Sequence, residues 1–354
     1  MSTEYQTRKN PILFSNKNYT DRVCLEPFGT IEIDLKGNVR MCGCASWMQT
    51  TIGNIFENTI DEILSSELAV NIRQSIRNGT FSYCNETTCG FISNNWLFHI
   101  DDYTEHDNRW RLFKDETLPK YPTTYFISGD TTCNLSCPSC RKHVINNNSE
   151  TALQNEMALD KLNKQLFNSS ATDLINIHLS TSGEAFASPL LLSFLSNFPI
   201  DRYPNARFWI QTNGLLVQRR FSNVEHIKSN IVNITITTDS CTEVIYEQLR
   251  RGGKFADLHK NLEFIATLGI EFNLRMVVQR DNQHEITEFY HWAKSIGATH
   301  VEYTRIANWG TYTPSQFSEI DVLNHSHNKY IDSIQQLSQL RDTFNDVVFF
   351  GFNV

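Results

Sequence analysis

The sequence predicts an α/β protein in which a wide or partial barrel of parallel βα units follows a small, cysteine-rich α+β module. From residue 124 onward, short β-rich runs alternate with helical stretches, as expected for parallel βα units. Polar and apolar residues alternate with a period of two inside several of these runs. Five of the nine cysteines fall between residues 24 and 90, in front of the barrel.

Composition limits the class of protein further. A chain of 354 residues is longer than most chains that form a single hydrophobic core. This length predicts two domains, or one barrel with an addition. The net charge of −8 disfavours a non-specific nucleic-acid or anionic-membrane binder. The chain has no apolar run of about 18 residues and no apolar secretory stretch at its start, so we expect no membrane span and a cytoplasmic location. In that reducing compartment the cysteines are expected to bind metal or iron–sulfur clusters rather than to form disulfides.

The strand pattern indicates what fills the barrel. The predicted strands are 124–128, 173–180, 207–213, 232–238, 272–279 and 299–306. Their alternating polar residues are Asn176, His178, Ser180, Asn233, Thr235, Thr237, Asp239, Arg275, Gln279, Glu302 and Thr304. Helices cover the outer face of such a sheet, so the apolar residues should face outward and the polar residues inward. A closed barrel fills its interior with apolar side chains, so a polar interior predicts a wider barrel that holds a polar ligand. Half-exposed strands are the alternative.

Three cysteines follow the first barrel strand in the segment CNLSCPSC, at Cys133, Cys137 and Cys140. Three thiolates on one loop can bind three corners of a four-iron cluster and leave the fourth iron open to a chelating ligand. A zinc site remains an alternative, although no fourth cysteine or histidine stands at a matching short spacing.

This CxxxCxxC segment resembles the mark of the radical S-adenosylmethionine (SAM) superfamily, whose members have a partial (β/α)6 TIM-like barrel. The resemblance implies that Cys133, Cys137 and Cys140 hold a [4Fe-4S] cluster and that SAM chelates the fourth iron. One electron, expected from a flavodoxin- or ferredoxin-type donor, would cleave SAM to methionine and a 5'-deoxyadenosyl radical that abstracts a substrate hydrogen. Ser139 departs from the family, where the residue before the third cysteine is usually aromatic.

Two further segments carry the resemblance. LSTSGEAFASP resembles the GGEP motif that follows the second strand, and ITITTDSCTEVIYEQLRRGGKF resembles the end of the fourth. By this resemblance, six residues contact SAM: Gly183, Glu184, Thr237, Asp239, Arg250 and Gln279. Glu184 would accept hydrogen bonds from the methionyl ammonium group, Thr237 and Asp239 would approach ribose, and Arg250 would pair with the methionyl carboxylate. A simple turn is the alternative for Gly183 and Glu184, and a capping or surface role is the alternative for Gln279.

The N-terminal stretch predicts a β-hairpin around Gly37 and a helix over 59–77 that begins at Thr59. So small a core needs a bound metal or cluster. The phrases PFGTIEID, GNVRMC and TIGNI resemble the SPASM or twitch auxiliary-cluster module. The resemblance implies a second [4Fe-4S] cluster on Cys24, Cys42, Cys84 and Cys89. Cys44 competes with Cys42 as a ligand, and a structural zinc ion is the alternative to the cluster.

The predicted organisation is an auxiliary module at 1–90, a linker at 91–123, the barrel at 124–311 and an extension at 312–354 that contains a helix-like stretch at 320–341. Cys241 follows the fourth strand, where a thiol could return a hydrogen atom to a substrate radical and so epimerise it. A small buried hydrophobe is the alternative reading of Cys241. His178, Arg275 and Glu302 could recognise a polar substrate or move protons, or could simply be hydrogen-bonded in the core.

Three functions therefore remain. The resemblance favours a radical enzyme that modifies or epimerises a peptide. A carbohydrate or aminocyclitol epimerase or dehydrogenase is the alternative for a small polar substrate. A structural metal-binding scaffold is the non-enzymatic alternative.

Overall fold

The computed structural model describes residues 19–34, 36–44, 47–86, 88–93, 95, 97–102, 108–115, 121–128, 130–146, 153, 156–157, 159–160, 174–179 and 183–352. The chain divides into two compact units. The first contains residues 1–129 and 153–177, and the second contains 130–152 and 178–354. In the described part of the chain, no helix has both the length and the apolar character needed to cross a bilayer.

The first unit contains a mixed sheet and short helices. Its elements are β1 (Arg22–Val23), β2 (Thr30–Ile33), β3 (Asn38–Arg40), β4 (Thr51–Asn54), α1 (Ile60–Leu64), α2 (Glu67–Arg77), α3 (Gly90–Ser93), β5 (Phe98–His99), α4 (Asn108–Lys114) and β6 (Thr124–Ile127). Strand β2 pairs antiparallel with β3 and parallel with β6, and β3 pairs antiparallel with β4. The predicted hairpin is therefore confirmed as β2 and β3. Gly37 in its turn has a φ of +78°, which glycine adopts at little cost.

The predicted helix over 59–77 is two helices, because two serines interrupt it. Thr59 forms a capping box with Glu62 at the start of α1, as the sequence predicts. The Ser65 hydroxyl donates to the carbonyl oxygen of Asp61 and terminates α1, and the Ser66 hydroxyl accepts from the backbone of Ala69 and caps α2.

The second unit is built of alternating strands and helices. β7 (Ile175–Leu179) begins in the first unit and ends in the second. The other elements are α5 (Pro189–Ser196), β8 (Ala206–Thr212), α6 (Val217–Arg220), β9 (Ile231–Thr237), α7 (Glu243–Leu249), α8 (Phe255–Ala266), β10 (Glu271–Val278), α9 (Ile286–Ile296), β11 (His300–Arg305), α10 (Pro314–Ile320), α11 (Tyr330–Thr343) and β12 (Val347–Phe350).

Strands β8 to β12 form a parallel sheet in chain order. All predicted strands are present within two residues of their expected bounds, which confirms an α/β fold of parallel βα units. Ser180, a predicted member of the polar face, lies outside the described residues. Strand β12 was not predicted, and it extends the sheet because Val347 lies opposite Val301.

The alternating pattern places apolar and polar side chains on opposite faces of this sheet. In β10, Phe272, Leu274 and Met276 are buried, whereas the intervening Asn273 and Arg275 are half-buried. Tyr303 on β11 lies on the apolar face, and its hydroxyl donates to the carbonyl oxygen of Ile286 in α9 at 2.7 Å. Helices therefore cover the apolar face, as the sequence predicts.

The predicted helical stretch over 320–341 is wrong in its first half, because turns separate α10 from α11. Asn324 accepts a hydrogen bond from the backbone of Ser326 at 3.1 Å, and its backbone oxygen accepts from His327 at 2.8 Å. Asn side chains that bond nearby backbone in this way compete with a helix.

The apolar face should carry much of the stability of the second unit. Leu274→Ala removes a fully buried side chain, and we expect it to lower the free energy of unfolding by about 2–5 kcal/mol. Urea unfolding followed by fluorescence measures this change. Glu271→Ala, at an exposed position of the same strand, is the control and should change stability by no more than about 0.5 kcal/mol. Equal effects of the two substitutions would contradict this description of the sheet.

Candidate functional site

The three-cysteine loop lies in the second unit and is tightly turned. The backbone N–H groups of Cys140 and Arg141 both donate to the carbonyl oxygen of Cys137 at 2.9 Å, and that of Cys133 donates to Ile145 at 3.0 Å. Cys133 and Cys137 are buried, whereas Cys140 is exposed. The Arg141 guanidinium donates to the Cys140 sulfur from Nε at 3.4 Å and from Nη2 at 3.3 Å. The loop thus turns its cysteines within eight residues and gives one of them a positively charged neighbour.

Hydrogen bonds from distant residues fix the loop in place. Ser136 donates its N–H to the carbonyl oxygen of Arg251 at 3.0 Å, and the Arg251 side chain donates back to the Ser136 oxygen from Nε at 3.0 Å and Nη2 at 2.9 Å. The Asn213 amide, just after β8, donates to the side-chain oxygen of Asn134 at 2.9 Å. The loop is therefore held from both sides by the segments that follow β8 and α7.

The start of the loop lies directly against Gly183. A Cβ atom at residue 183 would lie 2.2 Å from the carbonyl oxygen of Asp130 and 2.7 Å from that of Thr132. Glu184 donates its N–H to the same Thr132 oxygen at 2.9 Å. The Asp130 carboxylate accepts from the Thr132 N–H at 2.8 Å and from the Ser188 hydroxyl. Only glycine allows this close approach of two backbone segments.

The Glu184 carboxylate is buried and organises the end of β8. One oxygen accepts from the Thr212 hydroxyl at 2.6 Å and from the Phe186 N–H at 3.0 Å, and the other accepts from the Asn213 N–H at 2.5 Å. Burial raises the pKa of this carboxyl group, and the three hydrogen bonds oppose that rise. A carboxylate has about four acceptor positions, so one remains for a further donor.

Arg250 and Asp239 form a buried ion pair after α7 and β9. Arg250 Nη1 lies 3.2 Å from Asp239 Oδ2, and the other Asp239 oxygen accepts from the Val277 N–H at 2.8 Å. Burial acts to lower the pKa of Arg250, but the negative charges of Cys137 and Asp239 raise it above its ordinary value. The cation therefore lies in the field of the cysteine loop and keeps its charge.

Thr237 and Gln279 are buried at the carboxyl ends of β9 and β10, next to this ion pair. Asn282 joins the two ends, because its amide donates to the Asp239 oxygen at 2.8 Å and to the Val277 oxygen at 2.9 Å. Asp239 has a φ of +64°, a left-handed backbone that its hydrogen bonds stabilise. The structure thus brings the six residues predicted to contact SAM to one edge of the second unit, beside the cysteine loop.

The predicted substrate residues lie on the polar face of the sheet. Arg275 pairs with Glu302 on the neighbouring strand through Nε at 2.7 Å and Nη2 at 2.5 Å, and its guanidinium lies 5.7 Å from the ring centre of Phe350. His178 stacks on Trp209 with ring centres 4.7 Å apart. Burial lowers the pKa of His178 to about 4. The imidazole is therefore neutral at pH 7.

Cys241 has different neighbours. Its N–H donates to the Glu285 carboxylate at 3.2 Å, and the Thr242 hydroxyl donates to the same carboxylate. Burial, Glu285 and Glu288 raise the pKa of the Cys241 thiol to about 12, so the thiol keeps its proton. Cys241 thus lies in the connection from β9 to α7 and is bonded to the start of α9, whereas Arg275 and Glu302 lie on the polar face of the sheet.

A second group of cysteines lines a small apolar pocket within the first unit. The residues around it are Cys24, Pro27, Cys42, Trp47, Met48, Phe81, Cys84, Cys89, Phe91, Ile92 and Leu97. The set includes Cys42 and not Cys44. Burial raises the pKa of the Cys84 thiol to about 12, with a contribution from Cys89.

Four thiols around one cavity suit either a four-iron cluster or a zinc ion. Across the described residues, no three His, Cys, Asp or Glu side chains meet closely enough to bind a single metal ion.

Sequence reasoning missed the residues that hold the cysteine loop. Ser136 and Arg251 are 115 positions apart, and Asn134 and Asn213 are 79 positions apart. No periodicity connects residues at such separations. Asp130 could have been found from the local sequence, because an Asp followed two residues later by a free backbone N–H, here that of Thr132, is typical of an Asx turn.

The family comparison concerns the cysteines of the N-terminal stretch. Residues 24–90 match the model of the SPASM family, an iron-sulfur cluster-binding domain. SuiB of Streptococcus suis bound to the precursor peptide SuiA aligns at 13% identity over 80% of this chain, with a TM-score of 0.46. Native anSMEcpe with bound AdoMet aligns at 16% identity over 64% of this chain, with a TM-score of 0.46. The alignments cover 62% of that SuiB chain and 64% of anSMEcpe, less than two thirds of either. No curated protein matches the sequence.

The close approach at Gly183 leads to a first prediction for this site. Gly183→Ala forces a methyl group into backbone oxygens, and we expect it to lower the free energy of unfolding by about 1–3 kcal/mol and to reduce the iron bound by Cys133, Cys137 and Cys140. Iron analysis after anaerobic reconstitution measures the loss. Gly269→Ala is the control, because no atom lies within 4 Å of its Cβ position although its φ is +68°. Full iron loading of Gly183→Ala would contradict the role given to this contact.

The low pKa of His178 leads to a second prediction. The unfolded chain binds a proton near pH 6.5 that the folded chain binds only near pH 4, so acidification below pH 6.5 should cost about 1.4 kcal/mol of stability per pH unit. His178→Phe keeps an aromatic ring against Trp209 and removes this cost. Urea unfolding at pH 7 and pH 5 should show a smaller difference for this variant than for the wild type. His226→Gln, at an exposed position, should behave as the wild type, and equal pH dependence in all three proteins would refute the assignment.

Proposed function

We propose that this chain, whose residues 24–90 match the SPASM model of an iron–sulfur cluster-binding domain, is a radical SAM enzyme that acts on a peptide. The observation that carries the proposal is the three-cysteine loop, which is fixed at the carboxyl edge of a parallel sheet beside Gly183, Glu184 and a buried arginine. Ligands of open α/β sheets bind at this edge. A structural zinc loop has no need of a buried cation and a free carboxylate position next to its thiolates.

The donor set fits the expected cofactors. Cys133, Cys137 and Cys140 would hold a [4Fe-4S] cluster, and Cys24, Cys42, Cys84 and Cys89 would hold the auxiliary cluster of the SPASM domain. Together with SAM and one electron from a flavodoxin- or ferredoxin-type protein, the first cluster would supply a 5'-deoxyadenosyl radical. The protein's own part is to position SAM and the substrate and to keep water out.

The buried charges would orient the two ends of the methionyl group. Arg250 has five N–H donors, of which Nη1 is used by Asp239. Its remaining donors can bind the methionyl carboxylate. Glu184 has an acceptor position left for the methionyl ammonium group. Because Asp239 already fixes Arg250, and Thr212 and the Asn213 backbone fix Glu184, binding would need little rearrangement.

Thr237 and Gln279, buried at the ends of β9 and β10, would form the wall next to the nucleoside part of SAM, with Asp239 between them. On the polar face, Arg275 and Glu302 neutralise one another, which suits a substrate with hydrogen-bonding groups and no net charge at this point. A peptide backbone has these properties. His178 is neutral and can donate or accept one hydrogen bond.

If the enzyme epimerises its substrate, Cys241 is the candidate hydrogen donor, and it would have to act from its place beside Glu285. A thiol with a pKa of about 12 keeps the S–H bond from which a substrate radical can take a hydrogen atom. The resulting sulfur radical would then need one electron, from the flavodoxin- or ferredoxin-type donor, and one proton to restore the thiol. Cys241→Ala should then abolish the inverted product and leave SAM cleavage intact.

Anaerobically reconstituted protein with dithionite and SAM should form 5'-deoxyadenosine, measured by liquid chromatography. Cys133→Ala should reduce the rate by about three orders of magnitude or more, because an enzyme without its essential group loses most of its rate enhancement. Cys44→Ala is the matched control and should keep the wild-type rate. A wild-type protein that binds zinc and forms no 5'-deoxyadenosine would show that the chain is a metal-binding scaffold.

A further inference from the structure

Tyr246 in α7 carries a hydroxyl that nothing in the described part of the chain satisfies. The side chain is fully buried, and its Oη atom has no hydrogen-bond partner among the described residues. The ring packs beside Phe255, with ring centres 5.5 Å apart. Burying a hydroxyl without a partner costs free energy, and phenylalanine would fill the same space without that cost. A tyrosine at this position therefore indicates a partner that binds there.

The surroundings of the hydroxyl leave room for such a partner. A Cβ atom at Gly253 would lie 2.9 Å from the Tyr246 hydroxyl oxygen, so glycine keeps the space beside the hydroxyl free. A second buried donor, the Nε atom of Arg250, also has no partner among the described residues. Two unsatisfied N–H and O–H donors in one buried region suit a negatively charged acceptor.

The cysteine loop adjoins this region and would carry negative charge on its thiolates. The turn after α7 is bonded to Ser136, which directly precedes Cys137, through the backbone and side chain of Arg251. Gly252 lies against Leu135 in the same loop. Burial raises the pKa of Tyr246, Arg250 opposes that rise, and the Cys137 sulfur adds to it. The same Cβ position at Gly253 would lie 3.1 Å from the side chain of Leu215, which packs against the buried group Cys133, Leu135 and Cys137. The phenol therefore lies in the same buried region as Cys137.

We propose that Tyr246 is a positioning residue whose hydroxyl donates a hydrogen bond to the Cys137 sulfur when the three cysteines hold their cluster. The proposal rests on the function proposed above. The hydrogen bond would have two effects. It would fix the orientation of the Cys137 side chain, and it would raise the reduction potential of the cluster, since a donor to sulfur stabilises the reduced and more negative state.

The test is a redox titration of the reconstituted enzyme, followed by electron paramagnetic resonance. The signal that changes when SAM is added identifies the cluster at Cys133, Cys137 and Cys140 in the presence of the auxiliary cluster. Tyr246→Phe should shift the midpoint potential of this signal to a more negative value, by more than the scatter between independent preparations. A potential equal to or above the wild-type value would overturn the proposal.

Tyr303→Phe is the matched control. Tyr303 is also fully buried, but its hydroxyl donates to the backbone of Ile286. Its substitution should lower thermal stability and leave the midpoint potential unchanged. An equal shift of potential in both variants would mean that any loss of a buried phenol perturbs the cluster, and the proposal would fail.

Gly253→Ala gives a second, independent test should Tyr246→Phe lose its iron. The added methyl group would displace the Tyr246 hydroxyl and should shift the potential in the same negative direction, whereas an unchanged potential would refute the proposal.

The two proposals fail in different ways. A protein without a SAM-responsive cluster contradicts the proposed function, whereas a SAM-cleaving enzyme with an unmoved potential contradicts only the role of Tyr246.

Discussion

The position of the three-cysteine loop depends on a contact between two backbone segments that leaves no space for a side chain at residue 183. Gly183 lies so close to the backbone oxygens of Asp130 and Thr132 that a side chain at residue 183 would collide with the segment that enters the loop. The hydrogen bond from the Glu184 N–H to the Thr132 carbonyl oxygen then holds these two backbone segments together. This contact places the start of the loop, and the hydrogen bonds of Asn134 and Ser136 hold the part that carries the cysteines.

Buried charged side chains on both sides of the loop connect it to the edge of the sheet. The Glu184 carboxylate holds Thr212 and the Asn213 backbone, and Asn213 in turn holds the loop at Asn134. On the other side, Arg250 is neutralised by Asp239, which also binds the backbone of β10. Each buried charge thus has a partner, as it must to offset its desolvation. Because each group also has donor or acceptor capacity left over, the edge is suited to a zwitterionic ligand.

The sequence predicted those features that repeat along the chain or depend on a few neighbouring residues. Strands β8 to β11 followed from the alternation of polar and apolar residues, which a two-faced sheet requires. The cap at Thr59 followed from a four-residue pattern. The break at Ser65 did not, because a serine is tolerated inside many helices, and only its hydrogen bond to Asp61 ends α1 here. Strand β12 was missed because an apolar tail becomes a strand only where β11 offers an edge.

The candidate site was predictable in its residue types and not in its contacts. Gly183, Glu184, Asp239 and Arg250 were found from short segments, and the structure places them together. The hydrogen bonds of Ser136 with Arg251 join segments with no common pattern, so only the folded chain reveals them. The unsatisfied hydroxyl of Tyr246 is equally invisible in sequence, where a tyrosine in a helix is an ordinary core residue.

The central claim is that three cysteines of one loop hold a four-iron cluster whose fourth iron is open to SAM. Mössbauer spectroscopy of ⁵⁷Fe-reconstituted protein tests it most directly, in a variant whose Cys24, Cys42, Cys84 and Cys89 are replaced by alanine. We expect a spectrum of one [4Fe-4S] cluster in which a single iron site changes when SAM is added. A protein that holds zinc, or a cluster in which no iron responds to SAM, would contradict it.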